Sequence, residues 1–487
     1  MSALAALVLV GHYSLLVLLC LFGMHRLIIA GRALMLTQRG PLQPVPDAFR
    51  SLPPVTVQLP VYNEKQVIGR LIDAAAQLDY PAHALSIQVL DDSTDETAPL
   101  AAERVAYWQS RGVRIAHIRR RSRAGFKAGA LAHGLCLTDA PFVAVFDADF
   151  VPDPGLLKAL VVPMADPAIG MVQARWDHLN RRSSLLTRVQ AIMLDAHFAI
   201  EQQVRHATGR YFNFNGTAGL WRVAAIRHAG GWHGDTITED LDLSYRAQLA
   251  GWQFRYLNDV TCLSELPPTL SAFKSQQHRW SKGGIQVMRK LLGRVWAAPT
   301  PLGHKLEAAA HLAGNLAHLA MLIDTLVFLI PSLLLRQGIG AAGLAVDALL
   351  LVFASLSHMI FYLVGQKMLG RPVISALRYV PALMATAIAL AVNNGRAVAE
   401  ALLGHVSGFV RTPKSGETDQ TMAWRRRPRR TRQFRRLAGW PELAAGLTYT
   451  LCLLWCASNG LWLAVPFMSL FVVGFLSAAT VSLAERA

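Results

Sequence analysis

Long apolar runs lie at both ends of this 487-residue chain, and a stretch of alternating short apolar and polar segments separates them. The first run begins at about Ala3, and later ones cover 311–335, 341–364 and two segments between about 438 and 483. About 20 residues span the hydrocarbon of a bilayer, so each of these runs is long enough to cross. Residues 381–392 form an apolar stretch of only twelve residues, which favours an interfacial or re-entrant helix.

Basic residues give these runs an orientation. Arg26, Arg32 and Arg39 follow the first run, and positive charge beside a hydrophobic segment marks the cytoplasmic side. The pattern predicts five crossings, with the N-terminus outside the cytoplasm and the C-terminus inside. The predicted divisions are a transmembrane helix at 1–38, a soluble domain at 39–300, a transmembrane hairpin at 301–372, an interfacial helix at 373–405, a cytosolic loop and basic segment at 406–437, and a second hairpin at 438–487.

The central stretch has the periodicity of an α/β domain. Strands are predicted at 55–59, 85–90 and 143–146, with a helix at 64–77 between the first two. Strands that alternate with helices form a mostly parallel sheet, which binds ligands beyond the carboxyl ends of its strands. Two groups of aspartates, 91–92 and 147–149, fall at those ends. The sequence therefore predicts a binding site at the aspartates.

Composition agrees with a membrane protein that carries one soluble portion. Apolar residues make up 53% of the chain and charged residues 16%, against a usual charged share of about 25%. The net charge of +17 lies largely beside apolar runs, with eight arginines from Arg425 to Arg436, where it favours contact with anionic lipid. No nucleic-acid motif accompanies this charge, so membrane lipids rather than nucleic acid are the expected partner. The five cysteines imply no disulfide framework.

Carboxylates supply the first candidate chemistry. Asp91 and Asp92, with the preceding loop 60–64, have the arrangement of a nucleotide pocket, although helix capping would account for the same residue types. Asp147 and Asp149 offer the hard oxygen ligands that Mg²⁺ or Mn²⁺ prefers, and such an ion neutralises a diphosphate. Lys127, among glycines before a helix, is placed either to reach a diphosphate or to stay solvated.

Asp240, in the triplet 238–240, is the candidate general base. A sugar hydroxyl needs a carboxylate within hydrogen-bond reach to take its proton as it attacks an anomeric carbon. Glu239 is the second catalytic candidate, and capping of the following helix is the alternative role for the triplet. Trp280 offers an aromatic face for an acceptor sugar.

These positions together resemble a known family. The set Asp91-Asp92, Asp147/Asp149, Asp240 and Gln276-x-x-Arg279-Trp280 resembles the D, DxD, TED, QxxRW signature of processive family-2 glycosyltransferases. Stretches such as VQLPVYNE, GFKAGAL, FNGTAGLWR and SELPPTLSAFKSQQHRW look like plant cellulose-synthase-like proteins of the A and C groups, which make mannan or glucomannan and xyloglucan backbones. The resemblance covers residues 50–295. It implies an α/β, Rossmann-like GT-A glycosyltransferase domain in the cytosol, on an α-helical transmembrane bundle.

The resemblance also implies a role for each position. The donor nucleotide and its diphosphate would contact Pro60, Tyr62, Glu64, Asp91, Asp92, Lys127, Asp147, Gln276 and Arg279. The metal would be held by Asp147 and Asp149, catalysis would use Asp240 and Glu239, and the acceptor would meet Trp280, Asn215, Gly216 and Thr217. Residues 409–414 resemble the FxVTxK gating loop of cellulose synthases, with Arg411 in place of valine. Phe409, Thr412 and Lys414 would then lie near the bound nucleotide.

The predicted function is an inverting enzyme that polymerises a β-linked hexose, with β-1,4 linkage expected, from a nucleotide-sugar donor. UDP-glucose and GDP-mannose are open alternatives for that donor, and the growing glycan is the expected acceptor. A glycosyltransferase that adds one sugar to a membrane lipid is the second hypothesis. A passive transporter is the third, but it leaves the catalytic triplets unexplained. A bacterial inner membrane is the expected location, and export with an accessory subunit fits the scheme.

Overall fold

The computed structural model describes residues 3–36, 49, 51–335, 340–405, 414, 416, 419 and 439–484. Phe409 and Thr412, which the resemblance places near the nucleotide, lie outside the described residues, whereas Lys414 lies within them.

The described strands form an eight-stranded sheet in the soluble part of the chain. They are β1 (Val55–Val61), β2 (Leu85–Asp91), β3 (Ile115–Arg119), β4 (Phe142–Val145), β5 (Phe150–Val151), β6 (Ile169–His178), β7 (Gly219–Arg222) and β8 (Gln253–Ser264). Their order is β3-β2-β1-β4-β7-β6-β8-β5. The pairs β1–β2, β2–β3, β1–β4 and β6–β8 are parallel, which agrees with the mostly parallel sheet that was predicted, although β3, β6 and β8 were not among the predicted strands. The antiparallel strand β7, inserted between β4 and β6, was not predicted.

Helices precede, flank and follow this sheet. In chain order they are α1 (Ala3–Met35), α2 (Ile68–Ala76), α3 (Thr97–Gln109), α4 (Phe126–Leu135), α5 (Leu156–Val161), α6 (Leu185–Ala196), α7 (Gln203–Ala207), α8 (Val223–His228), α9 (Glu239–Leu249), α10 (Leu270–Ala297), α11 (Leu302–Ala313), α12 (Leu316–Ile323), α13 (Leu329–Leu335), α14 (Gly340–Met368), α15 (Val373–Leu377), α16 (Val380–Leu402), α17 (Trp440–Ser458) and α18 (Val465–Ala484). A 3₁₀ turn at Val162–Ala165 follows α5, and π-helical turns at His197–Gln202 and Asp324–Phe328 join neighbouring helices.

Two hydrophobic clusters lie on opposite faces of the sheet. Successive side chains of a strand point to opposite faces, and β4 shows this directly: Val143 and Val145 belong to one cluster, whereas Ala144 belongs to the other. A strand that is apolar at every position is therefore buried on both sides. The aspartates lie beyond these apolar positions, at the strand ends.

Four of the described helical segments are long and apolar enough to cross a membrane. They are Ala3–Met35, Leu316–Leu335, Val380–Leu402 and Val465–Leu483. Three of them coincide with predicted spans. The predicted spans at 341–364 and near 440–458 form α14 and α17.

The helix α16 is longer than the apolar pattern indicates. The twelve-residue stretch continues through Asn393 and Glu400 into a helix of 23 residues. These polar side chains do not end the helix, because they find partners on α10. The Asn393 amide donates to the Lys274 carbonyl at 2.9 Å, and Lys282 pairs with Glu400 at 3.0 Å. By length and composition α16 could cross a bilayer, so the interfacial helix and the five crossings stay predictions.

Candidate active site

A single cleft beyond the carboxyl ends of β1, β2 and β4 brings together residues from distant parts of the chain. Its lining includes Pro60, Tyr62, Glu64, Asp92, Arg123, Lys127, Asp147, Asp149, Trp176, Asn215, Gly216, Thr238, Glu239, Asp240, Glu265, Gln276, Arg279, Trp280 and Lys414. Among the predicted site residues that the structure describes, Asp91 and Thr217 do not line it.

Aromatic and basic side chains form one end of the cleft. The Arg123 guanidinium lies 3.3 Å from the centroid of the Tyr62 ring, which follows β1. Burial lowers the pKa of Arg123, although the group stays a strong cation. Asp92 accepts two hydrogen bonds from Arg120, at 2.9 and 2.5 Å. This end of the cleft therefore presents a flat stacked surface beside a paired carboxylate.

Asp91 and Thr217 hold the backbone rather than face the cleft. Asp91 is only 1% exposed, and it accepts hydrogen bonds from the Ser93 amide and the His117 ring, both at 2.8 Å. Burial acts to raise its pKa, but these hydrogen bonds outweigh burial and lower it. The buried Thr217 hydroxyl accepts from the Asp147 amide at 2.9 Å. Each therefore fixes a turn that positions a neighbour lining the cleft.

The two aspartates after β4 are each paired with a lysine. Lys127 lies 2.6 Å from Asp147, and Lys414 lies 2.5 Å from Asp149. Burial raises the pKa of Asp147, and the nearby charge of Asp149 adds to the effect, while Lys127 opposes it. Lys127 also donates to the Gly216 carbonyl at 2.9 Å and lies 3.8 Å from Glu239. The pocket therefore concentrates negative charge around two ammonium groups.

The triplet 238–240 begins α9 on the same side of the cleft. Burial raises the pKa of Glu239 to about 7 and that of Asp240 to about 6, while the charge of Lys127 opposes both shifts. The charge of Asp147 adds to both, and the charge of Asp240 adds to the shift of Glu239. Gly216 approaches Asp240 so closely that a Cβ there would lie 2.9 Å from the Asp240 Oδ2. Its φ of +84° is a conformation that glycine adopts at little cost. A carboxylate with a raised pKa is suited to accept a proton near neutral pH.

The helix α10 presents the 276–280 motif to the cleft. Gln276, Arg279 and Trp280 lie on one helical face because residues three and four apart are neighbours. Burial lowers the pKa of Arg279 to about 10, despite the carboxylates nearby, and the group remains charged. Gly283, one turn further along α10, packs against Thr238 of the triplet. The small residue therefore lets the helix and the triplet approach each other.

Three described residues, Lys414, Gly416 and Asp419, contact the soluble domain, and Lys414 lines the cleft. Lys414 reaches Asp149, and the Gly416 amide donates to both oxygens of Glu265 at 3.0 and 3.1 Å. Asp419 accepts from the Arg182 amide at 2.9 Å. The resemblance placed Lys414 near the bound nucleotide, and the structure pairs it with Asp149, an aspartate predicted to hold metal.

Sequence reasoning missed three residues in the lining. Glu265 follows β8 directly, so the strand-end rule that identified the aspartates could have found it. Arg123 stands four residues before Lys127 in the same basic segment. The Trp176 ring lies 5.0 Å from Phe150 and 5.1 Å from Phe198, and no local pattern distinguishes it from a core tryptophan.

Several known proteins have sequences similar to this chain. Residues 53–283 match the family model described as "Glycosyltransferase like family 2". A probable glucomannan 4-beta-mannosyltransferase 9 of Oryza sativa subsp. japonica is 47% identical over 258 residues, which is 51% of this chain and 48% of the relative. Glucomannan 4-beta-mannosyltransferase 2 of Arabidopsis thaliana is 47% identical over 250 residues, 50% of this chain and 47% of the relative. The chain spans about half the length of these curated relatives.

A solved structure shares the fold. The mannosyltransferase PcManGT from Pyrobaculum calidifontis, determined with GDP-Man and Mn²⁺, superposes with a TM-score of 0.50 at 21% identity, over 83% of this chain and 99% of that protein. The predicted fold class is confirmed: a GT-A-like mixed sheet with flanking helices, accompanied by helices suited to a membrane. The resemblance read from the motifs is also confirmed, because residues 53–283 match the family-2 glycosyltransferase model and the relatives named above are glucomannan mannosyltransferases.

Proposed function

We propose that the chain is a membrane-embedded, inverting glycosyltransferase that extends a β-1,4-linked hexose chain, with GDP-mannose as its donor. The relatives named above are mannosyltransferases, and the solved neighbour was determined with GDP-Man, which favours mannose over glucose. The single observation that carries the proposal is the cleft. It places a paired-carboxylate site, a second carboxylate pair and an aromatic-basic helix face around one space.

The donor would lie along the cleft from the stacked end toward α10. The nucleotide base would meet Tyr62 and Arg123, where a flat cationic surface suits an aromatic ring. The diphosphate would meet Arg279, Lys127 and Lys414, the cations in this part of the lining. These groups stabilise the negative charge that develops as the nucleoside diphosphate leaves.

Asp240 would act as the general base. It takes the proton of the acceptor hydroxyl while the hydroxyl oxygen forms a bond to the anomeric carbon, and the bond from that carbon to the diphosphate breaks. The displacement occurs once, so the anomeric configuration inverts. Trp280 would stack on the terminal acceptor sugar, and Asn215 and Gly216 would border the same space. Glu239 beside the base supplies a second buried carboxylate.

A divalent cation fits the donor set at Asp147 and Asp149. Both residues offer carboxylate oxygens to the cleft, and in this structure each is paired with an ammonium group, so both points accept positive charge. Mg²⁺ or Mn²⁺ bound there would neutralise the donor diphosphate. Lys127 and Lys414 would then turn from the aspartates to the phosphate oxygens.

The domain would face the cytosol, where nucleotide sugars are made, and the apolar helices would hold it at the bilayer. The helix α10 links the two parts, because it carries the 276–280 motif and also packs along α16 through Lys282 and Glu400. The growing glycan would therefore be held next to the membrane helices. Export of the product and an accessory export subunit stay predictions.

Full-length protein in detergent, supplied separately with radiolabelled GDP-mannose and UDP-glucose, tests the proposal. Long product that β-mannanase degrades is expected from GDP-mannose in the presence of Mg²⁺ or Mn²⁺. A product of one sugar on an extracted lipid would instead establish the lipid glycosyltransferase. Absence of transfer from either donor would overturn the proposal, and long product from UDP-glucose alone would correct the donor.

A further inference from the structure

A π-helical turn holds the side chain of Asn215 at the edge of the cleft. The turn spans His197–Gln202, between α6 and α7, and π turns are uncommon and frequently found at functional sites. Gln202 donates to the Asn215 Oδ1 at 2.5 Å, and the Asn215 Nδ2 lies 3.0 Å from the His197 Nε2. His197 in turn lies 2.7 Å from Glu201 through its Nδ1. Three side chains of one turn thus fix one amide.

The orientation of this amide follows from a backbone carbonyl. Gln202 Nε2 also donates to the Asn213 carbonyl at 3.0 Å, and a carbonyl can only accept. The Nε2 of Gln202 therefore faces Asn215, and Asn215 must accept this hydrogen bond with its Oδ1. The Asn215 Nδ2 is consequently the atom that faces His197, and the assignment does not depend on distinguishing nitrogen from oxygen by position alone.

The same reasoning fixes the tautomer of His197. Because Asn215 Nδ2 is a donor, His197 Nε2 must accept, so the imidazole proton lies on Nδ1 and is donated to Glu201. Burial acts to raise the pKa of Glu201, but the hydrogen bond from His197 and the charge of Arg205 lower it strongly, so the carboxylate stays ionised. Glu201 therefore keeps His197 in the tautomer that can hold Asn215.

Packing makes the turn a rigid support. Ala196 meets Gly365 of α14, where an added Cβ would lie 2.7 Å from the Ala196 Cα. Ile200 and Val204 are buried in a cluster with Ile29 of α1. The apolar side of the turn thus lies against two apolar helices, and His197 and Gln202 on its polar side contact Asn215. Arg205 continues the polar side by pairing with Glu307 at 3.0 Å.

Asn215 is well placed to meet an acceptor sugar. It lines the cleft, and the next residue, Gly216, packs on Asp240. One Nδ2 hydrogen is used by His197, and in the described part of the chain no residue takes the other. That hydrogen is a donor at the cleft, close in sequence to the residue that contacts the proposed base.

We propose that His197 is a positioning residue for acceptor binding: it holds the Asn215 amide so that its remaining N–H donates to a hydroxyl oxygen of the acceptor sugar. The proposal rests on the proposed function, because it presupposes that a sugar occupies this side of the cleft. It adds a specific role for a residue that does not itself contact the donor, the acceptor or the reacting atoms.

The test uses a double-mutant cycle on the full-length protein in detergent, with GDP-mannose as donor and fluorescently labelled mannohexaose as acceptor. The variants are H197A, H197Q, N215A and H197A/N215A. The KM for mannohexaose in H197A should rise about ten-fold, the size of one lost hydrogen bond, with the KM for GDP-mannose unchanged. H197Q, whose amide oxygen can accept from Asn215, should recover most of the loss. The double variant should be no worse than N215A.

Each other result decides against the role. If the effects of H197A and N215A multiply in the double variant, His197 acts independently of Asn215 and the proposal fails. Equal impairment of H197Q and H197A, or an equal rise in both KM values, would show a general structural role. If H197A does not fold, H197Q is compared with H197K instead. A lysine offers only donors to Asn215, so equal KM values for mannohexaose in these two variants would refute the proposal. If wild-type protein transfers no mannose, the proposed function fails, and the role of His197 fails with it. If the wild-type protein transfers mannose but the effects of H197A and N215A multiply, only the role of His197 fails and the proposed function stands.

Discussion

Replacing Gly283 with alanine should displace the catalytic triplet without unfolding the domain. A Cβ on Gly283 would lie 2.4 Å from the Thr238 Cγ2 and 2.9 Å from its Cβ, where ordinary contact begins at 3.4 Å. Rotation of the Thr238 side chain cannot relieve the second contact, because the Cβ does not move on rotation. The Thr238 Cγ2 and Oγ1, at 2.4 and 2.6 Å, both face the new Cβ, and with only three staggered positions one of them still faces it after any rotation. Ordinary contact at 3.4 Å therefore requires the triplet to shift by about 1 Å, and a misplacement of this size can cost about 100-fold in rate.

The stability cost of the same change is small. Overpacking costs about 1–3 kcal/mol, and replacing glycine with alanine within a helix returns about 0.5–1 kcal/mol. The helix α10 is held from its other side by the Lys282–Glu400 pair, so it cannot easily move away from the triplet. G283A should therefore melt within a few degrees of the wild type and still bind GDP, while mannose transfer falls about 100-fold.

Gly293 provides a matched control on the same helix. A Cβ at this exposed position meets nothing within 4 Å. G293A should therefore leave transfer unchanged and raise the free energy of unfolding by about 0.5–1 kcal/mol. Radiolabelled transfer, GDP titration and thermal melting are measured for both variants. Full activity in G283A would refute the argument, and so would equal losses of transfer in G283A and G293A.

Three further outcomes follow from the cleft. D240N should abolish transfer and retain nucleotide binding, measured by GDP titration; turnover in the variant would contradict the role of Asp240 as base. W280A should lower chain elongation more than hydrolysis of the donor, and equal losses would argue against acceptor stacking. Burial raises the pKa of Asp240 to about 6. Because a base acts only when ionised, kcat/KM should fall as the pH drops through about 6, and a flat profile down to pH 5 would contradict this.

The sequence predicted the site where local patterns carry the information. Strands alternate with helices, and two of the predicted strands end in aspartates. This pattern predicted that Asp92 and Asp147 would share one edge of a sheet, and both line the cleft there. The spacing of Gln276, Arg279 and Trp280 predicted one helical face for the same reason. The regular periods of strands and helices turn such spacings into positions in space, so these features can be inferred without the fold.

Other features depend on contacts between distant segments. Nothing near Asp91 in sequence shows that its carboxylate will be buried and hydrogen-bonded to His117, which lies on the neighbouring strand β3. β7 enters the sheet because the chain returns to it after α6 and α7, and no local sequence pattern indicates this return. The length of α16 depends on partners supplied by α10, so a reading of hydropathy alone ends it at Asn393. In each case the deciding partner lies far away in the chain.

Lys127 shows how the fold gives a residue a more specific role than its motif. The motif places a lysine near a diphosphate, but the structure places its ammonium against Asp147 and near Glu239, and its charge also reaches Asp240. One cation therefore opposes the rise in pKa that burial causes at three carboxylates. When a diphosphate draws Lys127 away from Asp147, the aspartate loses its counter-charge and needs another cation. Donor arrival would thus favour metal binding at the aspartates, and metal binding would in turn free Lys127 for the donor.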